Sequence, residues 1–135
     1  MLRGILVVLG GYVAMVAVVM LGTVLATAAL VPGGLAAMRS ARSGAAAVMP
    51  PVGTPYLAAN LAVSFLAAML GGWLVQRHAP APPLGWVCGL ASLLLALGIG
   101  LAVKGPRGGQ PAWYAYVIPL VGVAGVFAGA AMLTR

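Results

Sequence analysis

Four long stretches of this chain carry no charge, and short runs of polar, glycine and proline residues separate them. The first runs over 4–30 behind Arg3 and stops at Val31-Pro32-Gly33-Gly34, a sequence that ends a helix. The second runs over 55–76, the third over 84–103 and the fourth over 112–134. None alternates with period two. Each approaches or exceeds the roughly 20 residues that cross a hydrocarbon core of about 30 Å at 1.5 Å rise per residue. The pattern predicts an all-α fold, a polytopic membrane protein built as a four-transmembrane-helix bundle over 1–135.

The second span has the clearest boundaries. Thr54 is placed to cap the first free N–H groups, and Pro55 suits the first helical position, where a missing donor costs nothing. Tyr56 and Trp73 fall near opposite ends, at the depths that amphipathic rings favour. Asn60, Ser64, Ala67, Ala68 and Gly71 recur at three- and four-residue spacing, which places them on one small, polar face suited to close helix contact. Asn60 is the strongly polar group of the apolar interior. Its ordinary use is interhelical glue, worth about 0.6 kcal/mol; with Ser64 it could instead line a polar path for a solute.

The other spans carry comparable signals. In the first, Gly10 with Ala14 and Gly22 with Ala26 are small pairs four apart, and Thr23 and Thr27 place hydroxyls one turn apart. Such hydroxyls most often bond back to their own helix. In the third, Gly85, Gly89, Ser92, Ala96 and Gly100 share a face, and Gly85 with Gly89 forms a GxxxG match, expected to serve packing within the chain, with dimerisation as the alternative. In the fourth, Trp113, Tyr114 and Tyr116 are expected to form an aromatic belt at its start. Pro119 is expected to kink it, and Gly122, Gly125 and Gly129 mark a close-packing face.

Between the spans, the 33–53 connection holds Arg39, Arg42 and Pro50-Pro51, and is either a flexible loop or a short interfacial helix with Leu35 and Met38 toward lipid. Ala79-Pro80-Ala81-Pro82-Pro83 is too short and stiff for anything but an antiparallel hairpin of the second and third spans. A cleaved signal peptide competes for the first span, since Ala26-Thr27-Ala28 resembles a cleavage site. Its apolar run nevertheless exceeds the 7–15 residues of a signal core.

Composition reinforces the membrane assignment: of 135 residues, 64% are hydrophobic and 5% charged, too few for the polar shell of a soluble domain. Lys and Arg total seven and Asp and Glu zero, giving a net charge of +7. The cations are scattered over loops and ends without interleaved aromatics, so nucleic acid is not the expected partner; anionic lipid headgroups are. Three cations fall on one side of a four-span topology and four on the other, which leaves orientation open.

The missing carboxylates exclude the most. Proton-coupled transport usually depends on an intramembrane Asp or Glu, and paired-carboxylate hydrolysis needs two. A single His78 and a single Cys88 are too few for a metal site or a disulfide, and Ser64 or Ser92 lacks a nearby base. No phosphate loop, dinucleotide fingerprint or haem motif is present. No enzyme activity and no cofactor are therefore expected.

The size and four-span plan resemble the small multidrug resistance transporters, but that family depends on a glutamate in its first helix and this chain has none. The opening LRGILVVLGGYVAM and the segment PYLAANLAVSFLAAMLGGWL are similar instead to a broad group of small bacterial membrane proteins with four predicted helices and no assigned activity. The resemblance implies a multi-pass protein of the bacterial inner membrane and transfers no catalytic residue. The function expected is structural or accessory, packing against a partner membrane protein, a second copy or lipid. The alternative is a channel or transporter subunit for a neutral or anionic solute, acting as an oligomer.

Overall fold

The computed structural model describes residues 1–43, 52–105 and 110–133. The described residues are helical apart from their connections: α1 (Leu2–Leu30), α2 (Gly34–Arg42), α3 (Thr54–His78), α4 (Pro83–Ala102) and α5 (Ala112–Ala131). Helices α1, α3, α4 and α5 are long and apolar enough to cross a membrane, so the predicted four-helix membrane bundle is the fold observed. The observed ends lie within a few residues of the expected spans, and the last two residues fall outside the described part.

Local chemistry sets the helix ends. Val31 precedes Pro32 and takes an extended conformation, because the proline ring disfavours the helical region for the residue before it; its N–H still reaches the Thr27 carbonyl at 3.2 Å. Gly33 then adopts a positive φ of 72°, and α2 folds back with Gly34 buried beside Thr27 and Val31. The 33–53 connection thus contains the short helix; 44–51 lies outside the described residues. At the start of α3 the sequence expectation is corrected. Gly53 is the N-cap, Thr54 is already helical with no side-chain cap bond, and Pro55 sits one place later than expected. Glycine is a tolerated N-cap, costing only about a few tenths of a kcal/mol relative to a hydroxyl residue.

Helix α3 is the centre of the bundle, buried along its length at Tyr56, Leu57, Asn60, Ser64, Ala67, Ala68, Gly71, Gly72 and Val75. It packs most extensively against α5 and α1, while α4 lies more on α5 than on its hairpin neighbour α3. Helices α1 and α5 flank α3 on separate sides. Because lipid tails are as apolar as leucine, no hydrophobic gain drives these contacts; close van der Waals approach and hydrogen bonds do. One apolar core joins Met15, Ala67, Ala68, Val75, Val87, Leu90, Val126 and Ala130. A second gathers Ala26, Val31, Tyr56, Leu57 and Tyr114 toward the α2 side. Tyr56 is therefore buried (4% exposed) and does not serve as the interfacial anchor expected of it.

Candidate functional site

The buried polar groups of the bundle converge at one level. The Thr23 hydroxyl of α1 donates to Asn60 Oδ1 at 3.0 Å, and Asn60 Nδ2 of α3 donates to the Tyr114 hydroxyl of α5 at 2.9 Å. Tyr114 donates in turn to the Leu57 carbonyl at 3.2 Å. Two back-bonds complete the set: Ser64 to the Asn60 carbonyl at 2.8 Å and Thr27 to the Thr23 carbonyl at 2.7 Å. The result is a continuous relay across three helices, made from neutral groups. In a low-dielectric interior an unmade bond is costly and a connected series reinforces itself, so this relay fixes helix register. It contains no base able to activate a hydroxyl, and its donors point at protein acceptors.

Asn60 and Ser64 are thus brought together as their spacing implied, with Asn60 acting between helices and Ser64 within its own. Thr23 crosses to α3, whereas Thr27 makes the expected back-bond. Tyr114 corrects the aromatic-belt expectation. Trp113 and Tyr116 are exposed, but Tyr114 is fully buried and its ring meets Trp113 edge-on at 5.7 Å. A signal for this was present: Tyr114, Ile118, Gly122, Gly125 and Gly129 follow helical spacing, so Tyr114 extends the small-residue face of its helix.

Glycine seams set the helix separations. Between α1 and α3, Gly11 and Gly71 face each other so closely that a methyl group built on either would stand 3.3 Å from the other's carbonyl oxygen. The α3–α5 seam is tighter. A methyl group on Gly125 would stand 2.6 Å from the Phe65 carbonyl oxygen, and one on Gly129 or Gly72 would fall on the backbone of Met69 or Val126. Gly71, Gly125 and Gly129 therefore pack helices as their spacing predicted. In α1 the packing glycines are Gly4, Gly11 and Gly22, while Gly10 faces outward with open space around it.

Helix α4 overturns the expectation for its small residues. Gly85, Gly89, Ser92, Ala96 and Gly100 do lie on one face, but that face is exposed, and nothing within the chain approaches Gly85, Gly89 or Gly100. Cys88 is exposed on the same side. The face that packs is the opposite one, with Val87, Leu90 and Ala91 buried and Gly98 against the Pro119 ring. Leucine and valine fill the gap to α5 better than glycine does, so the small face is left outside. On α1 the exposed face is mostly large, with Leu6 59%, Val13 65% and Leu21 63% exposed, and Gly10 and Ala17 are isolated small residues among them.

The end groups match an interface. Arg77 lies over the Trp73 ring, 5.5 Å from its centre, and His78 is exposed at the end of α3. Compared with known protein families, curated proteins and solved structures, the chain gives no match.

Proposed function

We propose that this chain is a structural or accessory protein of the bacterial inner membrane that docks another transmembrane helix, from a partner membrane protein or a second copy, on the outer face of α4. The observation that carries this reading is the exposed run Gly85, Cys88, Gly89, Ser92, Ala96 and Gly100. Large aliphatic side chains fill well against acyl tails, as on α1. A lane of small residues instead leaves a shallow groove in which a second backbone can approach closely. The bacterial setting rests on the resemblance of the opening and second-span segments.

The rival reading, a channel or transporter subunit, needs a polar lining open to solute. The amide of Asn60 is committed on both its oxygen and its nitrogen to protein groups, which favours glue over path.

Cys88, the single cysteine, gives the test. A photo-crosslinker attached to it in native membranes is expected to yield one discrete protein adduct, from a partner or from a second copy. Gly89→Leu and Ser92→Leu should each abolish it. The same probe on Leu9→Cys in a Cys88→Ala background should capture lipid alone. Lipid adducts alone from Cys88 would overturn the proposal.

A further inference from the structure

Among the described residues, a concave feature lies apart from the Thr23–Asn60–Tyr114 relay and the outer face of α4. A cleft of about 190 Å³ opens where α4 ends and α5 begins, lined by Gly98, Leu101, Ala102, Gln110, Ala115 and Pro119. We infer that this cleft holds one anionic glycerophospholipid of the host bilayer, with an acyl chain against its apolar wall and its phosphate toward Lys104. The inference is independent of the partner surface, because the cleft lies on the α5 side of α4.

Four features select this occupant. The cleft is larger than the roughly 150 Å³ cavity that accepts benzene when dry, so it has room for hydrocarbon and not water alone. Its polar groups are few. The Gln110 amide can donate to a glycerol ester, and the Ala115 carbonyl loses the donor its helix would normally supply, because the residue four places on is Pro119, which has no N–H. A headgroup hydroxyl can serve that carbonyl.

The third feature is depth. Trp113 and Tyr116 are exposed on the first turns of α5, so the cleft lies at the level where polar heads meet hydrocarbon. Charge is the fourth. Lys104 is exposed in the turn between the lining residues Ala102 and Gly105, where Gly105 takes a positive φ of 99°. With no Asp or Glu anywhere in the sequence, no side chain can neutralise it, and its counter-ion must come from outside. A cation near the membrane surface attracts an anionic headgroup by about 1 kcal/mol.

The test uses the full chain in nanodiscs of equimolar phosphatidylglycerol and phosphatidylcholine, released into mild detergent and weighed by native mass spectrometry. The wild type is expected to retain one phosphatidylglycerol per chain in about fivefold preference to phosphatidylcholine. Lys104→Gln, at an exposed position that leaves folding intact, should abolish the preference, and Ala115→Leu should expel the lipid by filling the cleft. Arg77→Gln, at the other end of the bundle, should leave retention unchanged. Equal retention of the two lipids, equal loss in Lys104→Gln and Arg77→Gln, or lipid-free dimers would each overturn the inference.

Discussion

Asn60 Nδ2 and the Tyr114 hydroxyl meet at 2.9 Å, joining two helices across 54 positions of sequence. Both groups are buried, and each has a further partner: Asn60 Oδ1 accepts from Thr23, and Tyr114 donates to the Leu57 carbonyl. The pair is the middle link of a relay through α1, α3 and α5. Since α1 and α5 flank α3 separately, Asn60 is hydrogen-bonded to both at once.

Removing either member should weaken the bundle modestly without unfolding it. Asn60→Leu and Tyr114→Phe are each expected to cost about 1 kcal/mol in reversible unfolding from mixed micelles. The double variant should reveal a coupling of about 0.6 kcal/mol, the usual scale inside membranes. A coupling of zero would mean that the bond contributes nothing to holding α5.

Glycines of one composition should split into two classes by position. Gly129→Ala and Gly72→Ala place a methyl group on a neighbouring backbone and are expected to cost about 3 kcal/mol or to prevent folding, since no side chain can yield. Gly85→Ala and Gly89→Ala point into open space and should stay within about 0.5 kcal/mol of the parent. Thermal melts in detergent measure both.

Solute movement separates the polar clamp from a polar path. Proteoliposomes holding the wild type should release small neutral and anionic solutes no faster than protein-free vesicles, because the Asn60 amide is engaged within the protein. A flux that disappears in Asn60→Leu while folding persists would reverse the functional proposal.

The helix order fixes which loops share a side. In a Cys88→Ala background, Ser43→Cys and Lys104→Cys should react with a membrane-impermeant maleimide from one side and His78→Cys from the other. These positions follow an odd and an even number of crossings. Labelling of all three from one side would contradict four crossings.

What the sequence determined by itself was local. Uncharged length gave four membrane-long helices, and Val31-Pro32-Gly33 and the proline run after His78 gave two breaks, because hydropathy and backbone constraints act within a few residues. The pairing of Asn60 with Ser64 on one face, and the close-packing roles of Gly71, Gly125 and Gly129, were legible for the same reason: helical spacing fixes neighbours. Only the tertiary structure decided which way each face turns. In a soluble helix, charged residues mark the outside, but here lipid and protein interior are both apolar, so α4 offered no mark to distinguish its glycine face from its Val87–Leu90–Ala91 face. That choice depends on how side-chain volumes fill the space between two particular helices. The same lack of contrast hid Tyr114 among belt aromatics, until the Leu57 carbonyl, 57 residues away, and the Asn60 amide, 54 away, gave its hydroxyl an acceptor and a donor.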